Sequence, residues 1–322
     1  MPKTSCTPVW SAISSSMLQT PLPLATLKDD IASCDTADQG PLQALYNLGE
    51  FYVRNLLLIF RKTRGRTPVP SDHPSRPSFE VAKSQVMEDL QSTPRNHSDA
   101  KLAALARDNF LCMVTGRVDL SSCENGLIAY SPGEILCCAQ CAYIFPDSLG
   151  NIRAGGRGDK EHQVATAWML LKRFGHKDVY NELKSDTSKT NLHRLENIMT
   201  LEYSIHDLFD KMSLWFEAQS EPNVYRVAMA PRLELARSGL GVPATVHLTA
   251  HSDSPLPSPK YLAIHAACCR VAHMSGAAEY FDMILRDMEE LQVLSEDGAS
   301  ADVLAYALPR LVEPDDPYRA IG

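Results

Sequence analysis

Apolar residues recur at helical spacing near both ends of the chain, while its middle third breaks into short runs with strand character. This contrast confines the fold to a mixed one. From Pro41 to Lys62, Leu42, Leu45, Tyr46, Leu48, Phe51, Tyr52, Leu56, Ile59 and Phe60 form a continuous helical pattern. Further helices are predicted over Phe79–Leu90, over Ala100–Phe110 with Ser98 or Asp99 as cap, and over Glu161–Phe174, which Gly175 ends. Ser204–Lys211, Tyr261–His273 and Ala277–Leu291 complete the helical set. Strands are expected at Leu111–Gly116, Ala142–Pro146, Leu214–Glu217 and Val224–Met229, and a loop over Gly239–Pro259. The expected architecture is α+β: a small strand-strand-helix core over 98–218, wrapped by N-terminal and C-terminal helices. Residues 1–40 read as poorly ordered, 41–97 as helices with a Pro-rich linker at 63–77, and 219–322 as a strand, loop and helices packing on the core.

The net charge of -8 opposes a role in gripping nucleic acid, because neutralising phosphates takes an excess of Lys and Arg. Arg61, Lys62, Arg64 and Arg66 are the only basic run, and such a run beside a helix end reads first as a solvated face. No stretch approaches the roughly 18 apolar residues a membrane span requires. Met1–Leu27 lacks the apolar segment of a secretory signal, so a cytoplasmic or nuclear location is expected. Nine cysteines are too few for a disulfide scaffold. Cys138 and Cys141 form one C-x-x-C; Cys112 and Cys123 could join it, but a structural zinc site needs two matching pairs and no second C-x-x-C exists. Buried, inert thiols are the expectation.

Three pieces of the middle third stand in a particular order. Cys112-Met113-Val114-Thr115-Gly116 comes first, then Ala142-Tyr143-Ile144-Phe145-Pro146, then Glu196-Asn197-Ile198-Met199-Thr200-Leu201 leading into Ile205-His206-Asp207-Leu208-Phe209-Asp210. That order resembles the fungal HNH-type nuclease family, whose pattern is a C-x-x-T-G strand, an Ala-His-Ile-x-Pro strand, an Asn-containing segment and a Leu-His-x-Leu-Phe-Asp helix. The C-terminal run from Ser258 to Tyr280 resembles the tail of many members, so the likeness spans about 99–299.

The resemblance implies a histidine base, an asparagine that holds the base's loop and a histidine that holds a divalent metal. Asn197 and His206 match two of these roles, whereas Tyr143 stands at the base position. A phenol ionises near 10, and bringing that value near 7 takes about 4 kcal/mol. The residue before the base, a second metal ligand in many HNH enzymes, is the apolar Ala142; Asp147, Asp207 or Asp210 would have to supply a carboxylate. Neither a metal nor a cofactor is therefore expected. Each residue also has a plainer reading: Asn197 as a partner for turn backbone, His206 as a structural histidine, Tyr143 as a core aromatic, and His265 and His273 as packing residues.

The expected function is a degenerate nuclease scaffold redeployed as a cofactor-independent enzyme on an apolar small molecule. By the family's fungal context, the expectation is a natural-product cyclase or pericyclase of Diels-Alder type, with Tyr143, Asn197 or His206 as hydrogen-bond donor. The alternatives are a metal-dependent endonuclease in which His162 or His193 replaces the base, and a non-catalytic regulatory protein that binds partners through its N-terminus and Arg61–Arg66.

Overall fold

The computed structural model describes residues 21–35, 40–61, 97–150, 159–184 and 191–290, apart from the side chains of 21–24, 150, 159–163 and 284–290. Its architecture is α+β, with helices surrounding three small sheets among the described residues. The helix expected over Phe79–Leu90, the linker at 63–77 and the basic residues Lys62, Arg64 and Arg66 lie outside the described residues.

The first forty residues are not all irregular, because α1 occupies Pro21–Cys34. It docks through Leu27, through Asp30 on the Tyr52 hydroxyl and through an Asp30–Arg173 ion pair of 2.6 Å. Helix α2, Pro41–Tyr52, starts on a proline, whose missing N–H costs nothing in a first turn. It gives way to a π-helical turn, Val53–Leu57, instead of running unbroken to Lys62. Helix α3, His97–Arg107, contains Ser98 and Asp99, so neither caps it.

The Cys112–Gly116 stretch is a turn rather than a strand. Gly116 adopts a positive φ of 68°, its N–H reaches the Cys112 carbonyl at 2.9 Å, and Met113 N–H bonds to Thr200 O at 2.9 Å. A left-handed glycine closes the chain on itself before a ladder can form. Strand β1, Val118–Asp119, and the short helix α4, Leu120–Glu124, follow. The Asp119 carboxylate caps α4 by accepting from Ser122 N–H at 2.9 Å. Strand β2, Leu136–Cys137, runs parallel to β1, and β3, Ala139–Tyr143, begins two residues later.

Helices α5, Asp159–Arg173, and α6, Lys177–Leu183, lie between β3 and its partner β4, Ile198–Glu202. The β3–β4 pair is antiparallel, with Tyr143 opposite Ile198 and Cys141 opposite Thr200. Helix α7, Tyr203–Asp210, follows β4 directly. Strands β5, Leu214–Ala218, and β6, Val224–Met229, occur where expected. A third strand, β7, Thr245–His247, extends their sheet within the segment expected to be loop.

Helices α8, Pro259–Ser275, and α9, Ala277–Glu290, close the described chain, separated by Gly276 at φ 79°. One large core joins residues from α2, α5, β4, α7, β5, β6 and α8. His265 on α8 is a packing residue within it, stacked on Phe209 with ring centroids 4.0 Å apart. His273 stacks on Trp215 and donates to Met212 O at 2.9 Å. Arg61 is also interior: it bonds to Lys211 O and pairs with Asp282, so the head of the basic run is not a solvated face.

Candidate functional site

The period-two alternation of a strand gives the β3–β4 pair two faces. One face carries Ala142, Met199 and Leu201, which enter the main core with Ile205 and Phe209 of α7. The other carries Cys141, Tyr143 and Ile198, which form a separate buried cluster with Leu195 and with Ala100 and Ala104 of α3. The alanines bring α3 close to the strands, and His97 stands on the same helix face, three and seven residues before them.

Tyr143 is therefore buried under the start of α3, with its hydroxyl between two imidazoles. The oxygen lies 2.7 Å from His193 Nδ1 and 3.3 Å from His97 Nδ1. The Tyr143 and His97 rings are stacked at 27°, and His193 meets Tyr143 edge-on at 63°. Beyond His193, its Nε2 faces Asp147 Oδ1 at 3.9 Å, and that carboxylate side chain is 53% exposed. An acid at the surface thus lies near the imidazole that meets the buried phenol, beyond hydrogen-bond distance from it.

Burial pushes the Tyr143 phenol well above its ordinary ionisation range, and the nearby Cys141 and Asp147 add to the shift. The group is held as a neutral hydroxyl, which has one proton to give. Either imidazole nitrogen can give its own proton to the phenol oxygen, so the hydroxyl is held in place from both sides while its one proton goes to whichever acceptor stands opposite. This is the opposite of what a base at this position would need.

Asn197 does not point a free amide at any ligand. Its Oδ1 accepts from Phe145 N–H at 2.8 Å, and its Nδ2 donates to Phe145 O and Leu192 O, both at 2.9 Å. The side chain is fully buried and clamps the chain just after Tyr143 to the residue just before His193. Its position in the site is that of a fastener, so its expected role as a donor to substrate is set aside.

His206 stands on the other face. Its Nδ1 is 2.7 Å from Gln140 Oε1, and its Nε2 is 3.2 Å from Asp210 Oδ2, near enough for ion pairing but outside good hydrogen-bond geometry. Tyr143 and Asn197 are thus brought together while His206 is held by other partners. Among the described residues no three His, Cys, Asp or Glu side chains gather as a metal site requires. His162 lies in α5, but its side chain is outside the described ones.

The described cysteines are free thiols. Burial pushes Cys137 and Cys268 up to about 12, keeping both protonated at neutral pH. Cys138 is exposed while Cys141 is buried on the Tyr143 face, so the C-x-x-C pair does not present two ligands to one side.

Sequence reasoning missed His97 altogether, since nothing local marks a histidine that meets a tyrosine 46 positions away. It missed Arg107 as well. This arginine is fully buried, paired side-on with Asp108, and donates to the carbonyls of Leu195, Ile198 and Pro255. An arginine inside an otherwise apolar helix pattern, next to an aspartate, was the available signal. No described helix is long and apolar enough to cross a membrane. No protein-family model, curated protein or solved structure matches the chain.

Proposed function

We propose that this chain is a nuclease-inactive, HNH-like scaffold redeployed as a cofactor-independent enzyme on an apolar small molecule, with Tyr143 as its proton or hydrogen-bond donor. The reaction proposed is a cyclisation or pericyclic step of Diels-Alder type. The observation that carries the proposal is the Tyr143 hydroxyl set 2.7 Å from His193 Nδ1, with its ionisation driven upward by burial. A neutral donor fixed in a dry environment stabilises charge that develops on a carbonyl oxygen, and it does so without reorganising during the reaction. His193 and His97 hold that donor in place from two sides.

The burial that keeps Tyr143 neutral also disfavours the phenolate that hydrolytic base chemistry would use. The endonuclease reading is supported less well for a second reason. Its substitute base His193 is bonded to Tyr143, while His206 is bonded to Gln140 on the opposite face of the strand pair. The regulatory reading loses Arg61 as a docking residue, since that side chain is buried against Asp282.

The test is metabolite profiling of the source organism carrying the wild-type gene, a deletion or a Tyr143→Phe allele. Deletion and Tyr143→Phe are expected to lose the same compound and to accumulate an isomeric, uncyclised precursor. One buried donor of this kind is worth about 10²–10³ in turnover. An unchanged profile in the deletion strain, with the gene shown to be expressed in the wild type, would overturn the proposal.

A further inference from the structure

We infer that Arg107 is a positioning residue that sets the Tyr143–His193 hydrogen bond from outside the site; this rests on the reading of that pair as the functional one. Arg107 sits at the last turn of α3, ten residues after His97. Its Nη1 donates to Leu195 O at 2.9 Å and to Pro255 O at 3.2 Å, and its Nη2 donates to Ile198 O at 3.0 Å. Two of these three carbonyls bracket Asn197, the residue whose amide ties Phe145 and Leu192 together. Ile198 is also the ladder partner of Tyr143, and Leu192 directly precedes His193. One guanidinium therefore fixes both ends of the 3-10 turn Leu195–Asn197, through which Tyr143 and His193 are held in register.

The chemistry of the group explains why an arginine occupies this place. A planar fork with five donors reaches carbonyls of two chain segments while Asp108 holds its remaining edge through Nε and Nη2 at 2.7 and 2.8 Å. A lysine keeps the charge but has no fork, so it cannot span Leu195 O and Ile198 O with fixed geometry. The backbone carbonyl of Arg107 also accepts from His251 N–H at 2.8 Å, tying the 251–255 segment to the same point.

The readout is the Tyr143 hydroxyl proton, which a buried hydrogen bond to His193 protects from exchange and renders visible by proton NMR of the full chain. Arg107→Lys is expected to lose that signal while the chain stays folded by tryptophan fluorescence. Arg237→Lys is the control. Arg237 likewise donates to two carbonyls, Pro243 O and Val227 O, but on the β5–β6–β7 sheet. It is expected to retain the signal. If Arg107→Lys does not fold, Asp108→Asn carries the test, because it leaves the guanidinium in place and loosens its anchor; faster exchange of the Tyr143 proton is then expected. Equal retention, or equal loss, in the Arg107 and Arg237 variants overturns the inference. Absence of the protected proton in the wild-type protein overturns the reading of the site itself.

Discussion

Replacing Asn197 with alanine removes the fastener between the Tyr143 and His193 segments and tests whether the site is held as described. Three buried backbone groups lose their partners: Phe145 N–H, Phe145 C=O and Leu192 C=O. A stranded buried group costs about 1–3 kcal/mol, and water entering the vacated amide space brings each toward the low end. The loss is therefore about 3–5 kcal/mol, a large share of the roughly 5–15 kcal/mol that holds a domain folded. Urea unfolding followed by the fluorescence of buried Trp168 and Trp215 measures it, with an unchanged slope expected. In temperature the same loss lowers the midpoint by roughly 10 °C. Asn197→Asp supplies a second reading: it keeps the acceptor for Phe145 N–H but turns a carboxylate oxygen toward two carbonyls. That carboxyl would ionise above its ordinary range when folded. Its penalty is full above its raised folded value and shrinks as pH falls through that value toward the ordinary value of about 3.9, so the variant should recover relative to wild type as the solution is acidified. A loss below about 1 kcal/mol for Asn197→Ala, within the range of an ordinary surface change, would refute the clamp.

Alkali should destabilise the protein. Cys137 and Cys268 ionise near 12 when folded, and free thiols near 8.5, so unfolded chains shed protons first as pH rises; stability is whole below about 8.5 and declines toward 12. Tyr52, Tyr143 and Tyr261 are shifted upward by burial and act in the same direction above about 10. Denaturant midpoints from pH 8 to 11 check this, and a flat profile would count against it. Among the described cysteines, Cys138 should react first with a thiol reagent, while Cys112, Cys141, Cys268 and Cys269 stay protected until denaturant is added. Mass-spectrometric mapping of labelled sites decides that, and early labelling of Cys268 would contradict the packing of α8.

Much of the scaffold was legible because its signals are local. The pattern of Ala277–Glu290, the Gly175 and Gly276 stops and the β5 and β6 runs each follow from spacing within one element. The misses have physical reasons too. The Leu111–Gly116 run reads as a strand entering a turn at Thr115-Gly116; the turn is there, but it reaches back to Cys112, whose carbonyl accepts from Gly116 N–H, and leaves no strand before it. Strand β7 lies in a Pro- and Gly-rich stretch and exists through its pairing with β6, which no window of sequence contains. The site shows the same division. Tyr143 and Asn197 were visible through their motif order, whereas His97 and Arg107 act across 46 and about 90 positions, where only the folded chain brings the groups together.

The most direct test of the central claim is a proton titration of Tyr143 itself. With tyrosine ring carbon labelled and Tyr143→Phe used to assign its resonance, the account predicts that this phenol remains neutral through the usual range near 10 and ionises only as the protein unfolds. Ionisation of Tyr143 in the folded protein near or below 10 would contradict the account, because it would show that the hydroxyl meets water freely instead of being buried between His97 and His193.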